Sequence, residues 1–183
     1  MTEIADRYRR LSGAFADRID TVRADQWDLT TPSCPEWTVR DLVGHVVATQ
    51  AMFEGFVGRE IGDVPDVTAD PLGAWNASRA VVQRDLDDPA TAQAEFEGML
   101  GTQSFERAVD RFLNTDLILH GWDLAHATGQ DETIADADLD HVRSMMEGLA
   151  DKMRAPGAFG DEVIPAEDAG EQTKLLNYFG RRR

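Results

Sequence analysis

An all-α fold, an antiparallel four-helix bundle with extra short helices toward the C-terminus, is predicted by three observations. Apolar residues recur at three- and four-residue spacing in four long segments, the mark of amphipathic helices. No stretch alternates apolar and polar residues with period two over a useful length, so no substantial sheet is expected. Capping residues, a proline at a helix start and a closing glycine fall where those segments begin and end. Four such helices make an antiparallel bundle the default architecture.

The first helix is placed from about Thr2 to Val22, with Ile4, Tyr8, Leu11, Phe15, Ile19 and Val22 on one face. The loop Trp27–Trp37 holds two prolines and two tryptophans and is expected to pack onto the bundle, with Trp37 and Arg40 fixing it. Thr38-Val-Arg-Asp41 has the form of a capping box. It opens a second helix that carries Leu42, Val46, Thr49, Phe53 and Phe56 on one side and frays near Gly55 to Gly58. Residues 62–69 read as a linker. Asp70-Pro71 then supplies a cap and a proline at the first helical position. The third helix turns Leu72, Trp75, Val82 and Leu86 inward and ends at Asp88-Pro89. Residues 90–103 scatter Phe96, Met99 and Leu100 among small and polar residues, and an excursion with a short extended segment is expected. A fourth helix spans about Ser104 to Thr128, with Gly129 as its cap. A fifth aligns Leu139, Val142, Met146, Leu149 and Met153; a loop from Pro156 to Pro165 and a short helix over Gly170–Phe179 complete the chain.

The 183 residues are expected to form one domain, 1–183, large enough to bury a core without staples. With 18 Lys and Arg against 34 Asp and Glu, the formal charge is −16. Such a surface repels phosphate backbones and anionic membranes, so nucleic acid and membrane are excluded as expected partners. Arg181 to Arg183 read as an exposed tail. Cys34 is the only cysteine, which rules out an intramolecular disulfide and makes a reducing cytoplasm the expected compartment. No apolar run approaches a membrane span. Monomer and homodimer both stay open.

The most informative stretch is Asn114–Gly129. Phe105, Val109, Phe112 and Leu113 set an apolar helical face, and continuing it brings up Asp116, His120 and Asp123 where a core should be apolar. Residues four apart on a helix have Cβ atoms about 5–6 Å apart, so Asp116 and His120 can converge on one ion. Burying both is costly without compensation, and a divalent metal compensates. His45 lies beside the apolar stripe of the second helix, placed to be a third ligand. A hydrogen-bonded polar core without metal is the competing reading. Asp123 reads as a partner for the second ring nitrogen of His120 or as a loop anchor. Trp122 reads as packing, His126 and His141 as surface, and Cys34 as structural, although a nucleophile or ligand role stays open.

Two motifs carry a family resemblance. Thr31-Pro-Ser-Cys-Pro-Glu-Trp-Thr-Val-Arg-Asp-Leu-Val-Gly-His45 closely resembles the opening of the metal-binding domain of mycothiol-dependent maleylpyruvate isomerase, and Asp116-Leu-Ile-Leu-His-Gly-Trp-Asp-Leu-Ala125 resembles its second metal motif. Both belong to the DinB-like superfamily. The resemblance runs from about Arg7 to Gly129, and the ending Leu175 to Gly180 fits a single-domain branch. It implies a four-helix bundle holding a divalent ion, commonly zinc or nickel, with His45, Asp116 and His120 as ligands. The isomerase is similar but has the longer glutamate at the Asp116 position, and it adds a C-terminal domain that this chain is expected to lack.

Two histidines and one carboxylate leave a coordination position open, as catalytic zinc sites do. A thiol entering there would be deprotonated, so the resemblance implies a metal-dependent, mycothiol-type S-transferase or isomerase joining a small thiol and an electrophile. Arg40 is a candidate to face an anionic thiol. The alternative is a metal-binding protein whose ion is structural or sensory. Hydrolysis ranks lower, because nothing else resembles a hydrolase motif.

Overall fold

The computed structural model describes residues 2–98, 100–154 and 159–182. These are mostly helical, with one two-stranded hairpin. Four long stretches of helix pack in a ring. Helices α1 (Glu3–Asp20) and α2 (Val39–Phe56) each lie against α3 (Pro71–Asp87) and against α6 (Asn114–Thr128).

Local chemistry sets the helix ends. The Thr2 hydroxyl accepts from the Ala5 N–H at the start of α1. Thr38 and Asp41 form the capping box in full, each side chain taking the other's main-chain N–H. Asp70 caps α3 ahead of Pro71. Gly129 closes α6 at φ 70°, a left-handed conformation that favours glycine. The core between α1 and α3 is built on Trp75 and Phe15, whose rings meet edge to face at 5.1 Å. Burying Trp75 leaves its N–H to be satisfied, and it donates to the Ser12 carbonyl.

One segment follows the expected excursion with extended chain, and two depart from the sequence expectation. Residues 89–104 form a one-turn helix, α4 (Pro89–Ala92), and a hairpin of β1 (Glu95–Gly98) and β2 (Gly101–Ser104), in register from Glu95 opposite Ser104. The helix expected from Ser104 to Thr128 is not uniform: α5 (Phe105–Ala108) passes through a π turn at Val109–Leu113 before α6. The fifth helix is broken into α7 (Asp136–Met146) and α8 (Ala150–Arg154), because Gly148 sits at φ 69° between them. The stripe Leu139, Val142, Met146 and Leu149 still packs in the core. A final helix, α9 (Glu171–Tyr178), lies on α7. Met99, residue 155 and residues 156–158 of the expected loop lie outside the described residues.

A buried carboxyl pair ties α2 to α3. Glu54 is fully buried and its oxygens find no donor among the described residues; Arg59 Nε stands 3.9 Å away. Burial, then the adjoining Asp85, push its pKa up to about 8. Burial opposes the ionised form of Asp85 too, but hydrogen bonds from Arg84 and Glu54 and the nearby guanidinium charges hold its pKa low. The native chain thus keeps a proton on Glu54 that the unfolded chain sheds above about 4.5. Native protein binds more protons across that window, so stability is expected to fall as pH rises from about 4.5 to about 8. Glu54→Gln is expected to flatten the fall and to stabilise the fold by about 1–3 kcal/mol at a pH of about 9, read from urea midpoints. An unchanged slope would show that another group carries it.

Candidate metal centre

His45 comes from the second turn of α2, and Asp116 and His120 from one face of α6, which packs on α2. His120 Nε2 lies 3.3 Å from Asp116 Oδ1, and His45 Nε2 lies 3.8 Å from Asp116 Oδ2. One donor atom from each residue lies within 4.8 Å of the others, so the group could hold a metal ion. Ligands about 2.0–2.2 Å from a tetrahedral zinc stand roughly 3.3–3.6 Å apart, so donors within 4.8 Å of one another need only small side-chain movements to close on an ion. The fit has a second mark. Asp116 Oδ2 is buried without a hydrogen-bond partner among the described residues, a costly state that a cation relieves.

The surroundings act on each of the three side chains. The Trp37 ring lies against the His45 imidazole, with centroids 4.7 Å apart. Burial lowers the His45 pKa, which favours the neutral, ligating form; the Asp116 charge only partly opposes this. Burial would protonate Asp116, but His120, His45 and Arg181 hold it ionised. Burial also opposes the imidazolium form of His120, yet the carboxylates of Asp116 and Asp123 outweigh it and raise its pKa to about 9. This environment favours positive charge at Nε2, from a proton or a metal.

Of the two readings foreseen for Asp123, the contact with the second ring nitrogen of His120 is the one seen. Asp123 Oδ2 lies 2.9 Å from His120 Nδ1 and accepts a hydrogen bond there, which turns the Nε2 lone pair toward Asp116. Asp123 is in turn gripped by Arg181, whose Nε and Nη2 donate to its two oxygens at 3.0 and 2.7 Å. Arg181 is therefore not an exposed tail residue: it is 4% exposed and lines the same cavity as His45, Asp116 and His120. Gly180 makes this possible. It turns the chain at φ 80° and passes so close to Gly160 that a Cβ would stand 2.8 Å from the Gly160 backbone. Nothing in a run of three arginines flags this; the one available signal was the apolar stripe Leu175, Leu176 and Phe179, which anchors α9 just before them.

A cavity of about 630 Å³ opens beside His45, Asp116 and His120, of the size that holds small molecules. Cys34 lines it but stands outside the three-residue cluster. Burial, then the nearby Asp123 carboxylate, raise its thiol pKa, which suits a structural role better than nucleophilic attack. Arg40 stacks over Trp27 at 5.0 Å and donates to the Thr68 carbonyl, which fixes the loop, and it does not line the cavity. Trp122 is buried packing. His126 is half-buried, bonded to Glu132 and stacked on Trp122. His141 overturns its surface expectation: it is 8% exposed, and its Nε2–H donates to the Asp110 carbonyl inside the π turn.

Residues 8–125 match the family model described as the mycothiol maleylpyruvate isomerase N-terminal domain. The chain belongs to that family. Membership makes it a DinB-like, mycothiol-related domain, and His45, Asp116 and His120 are the group in it that could hold a divalent ion. Uncharacterized proteins from two strains of Mycobacterium tuberculosis are 32% identical over 180 residues, covering 95% of this chain and 95% of their own length. No solved structure gives a significant match. Among the described residues, no helix of this family member is long and apolar enough to cross a membrane.

Proposed function

We propose that this chain is a cytoplasmic, metal-dependent thiol S-transferase or isomerase, a single-domain member of its family built on an antiparallel four-helix bundle. Zinc is the expected ion and nickel the alternative, held by His45, Asp116 and His120. The observation that carries the reading is that these three donors converge at the wall of a large cavity rather than in closed core. Structural zinc is enclosed by four protein ligands, whereas three ligands facing a cavity leave room for a reactant.

Bound there, a divalent ion supplies the Lewis acidity that lowers a thiol pKa from about 8.5, so that the sulfur meets an electrophile as thiolate. The protein's own residues do the rest. Asp123 and Arg181 hold the His120 ring in one tautomer, and Trp37 holds His45. A mycothiol-type thiol fits as the nucleophile. Its sulfur would form a C–S bond to the electrophile as the thiol proton passes to solvent. In substitution, the carbon's bond to a leaving group breaks and the group departs with that electron pair. In addition to a C=C bond, the π pair moves to the neighbouring carbon, where a solvent proton quenches it for a conjugate or where it returns to re-form the double bond for an isomerisation. A transferase releases the conjugate, while an isomerase expels the same thiol after rotation about the attacked bond.

The test is thiol consumption by full-length protein loaded with zinc or nickel, using mycothiol and a broad panel of electrophiles. Turnover that is lost with chelator, and lost in His120→Ala, is the expected result. A tightly held metal with no thiol-dependent turnover across the panel would overturn the reading and leave a structural or sensory ion.

A further inference from the structure

The cavity has two chemically distinct ends. Along one face of α2, His45 is followed by Thr49, Phe53 and Phe56, at successive turns. At about 1.5 Å rise per residue, the face runs roughly 16 Å from the ligand to the last ring. Phe53 and Phe56 meet at 5.2 Å, Phe53 meets Phe112 at 6.1 Å, and Phe56 stacks on Phe96 of the hairpin at 5.1 Å. Phe56 is 46% exposed, so this aromatic wall reaches the mouth.

Charge is distributed just as unevenly. The only Lys or Arg among the described residues lining the cavity is Arg181, and both oxygens of Asp123 occupy it. Glu97 and Asp116 add negative charge to the lining, within a chain of formal charge −16. An anion lodged at the aromatic end would find no counter-charge and would lose its hydration.

We infer that the Phe53–Phe56–Phe96–Phe112 end of the cavity binds an uncharged aromatic or alkyl group and rejects an anionic one. This rests on the proposal that the cavity is a substrate site, and it names the electrophile's class: a molecule whose bulk is neutral and apolar. The wall supplies apolar contact area and offset or edge-on ring packing, both of which favour aromatic ligands.

The test is binding, so it does not depend on turnover. Two fluorescent probes share one skeleton: uncharged N-phenyl-1-naphthylamine, and 8-anilino-1-naphthalenesulfonate, which adds a sulfonate. Full-length protein, with and without chelator, is expected to bind the neutral probe at least about tenfold more tightly. The double variant Phe56→Ser, Phe96→Ser should weaken that probe about tenfold while the melting curve holds, because both rings are at least partly exposed. Gln103→Lys, which places a cation in the hairpin wall, should improve sulfonate binding about tenfold and narrow the preference, showing that charge and not partitioning sets it. Equal affinity for the two probes in the unaltered chain would overturn the inference, as would neutral-probe binding indifferent to loss of both phenylalanines. Either failure leaves thiol turnover untouched, and absent turnover leaves probe binding untouched, so the two readings fail separately.

Discussion

Replacing His120 by Ala is expected to take metal content from about one zinc or nickel per chain to none, measured on purified protein by inductively coupled plasma mass spectrometry. The reason is geometric: His120 Nε2 is the donor nearest Asp116, and removing it leaves two ligands on separate helices. Helicity should change little, since His120 faces the cavity and alanine favours helix. Asp116→Glu is the matched comparison. It keeps the carboxylate, resembles the isomerase and is expected to keep the ion. Stoichiometric metal in His120→Ala would reject the ligand set; loss of metal in Asp116→Glu would mean that the reach of the carboxylate is set to the ångström by the α2–α6 spacing.

Arg181→Met is expected to be the most destabilising substitution near the site. Asp123 is fully buried, and the Arg181 guanidinium is the foremost of the groups that offset its charge, ahead of His120. Removing one member of a buried ion pair costs about 3–5 kcal/mol, because the other charge stays behind. For a chain of this length that is a fall in Tm of roughly 6–20 °C. Removing both charges, as Asp123→Asn with Arg181→Met, should return most of the loss, since neither member of the pair is left behind without its counter-charge. Metal affinity separates positioning from mere stability. Asp123→Ala should weaken the ion about 10- to 100-fold, the usual effect of losing the group that orients a ligating histidine. A Tm unmoved by Arg181→Met would show that Asp123 finds another cation.

The parts of this fold that sequence exposed were those governed by neighbours along the chain. Thr38 and Asp41, Asp70 and Pro71, and Gly129 lie next to the ends they make, and each end falls within two residues of its predicted place. The candidate trio was legible for a related reason: Asp116 and His120 are one turn apart, and ionisable groups among apolar helical residues stand out; the structure brings His45 to them as a group that could hold a metal ion. What stayed hidden depended on distant partners. Arg181 meets Asp123 across 58 residues, and His141 meets the Asp110 carbonyl across 31. Periodicity also misjudged residues 136–154, because the apolar stripe continues through Gly148 although the helix does not. The aromatic wall was missed for a similar reason: Phe96 is an isolated apolar residue until the hairpin carries it to Phe56.

The π turn at Val109–Leu113 bears on how this helix tolerates change in length. A π turn holds close to one residue more than an α turn, and each residue of an α-helix advances the chain by about 100°. Wound as unbroken α-helix from a Phe105 and Val109 seated as they are, the chain would carry Asp116 and His120 about 100° around, facing away from His45. The wide turn acts as slack that absorbs the surplus residue. A one-residue loss within 109–113 can be taken up by tightening to α, with both flanks left in place. The same loss between Asn114 and His120 has no slack to draw on and would pull the ligand pair out of alignment.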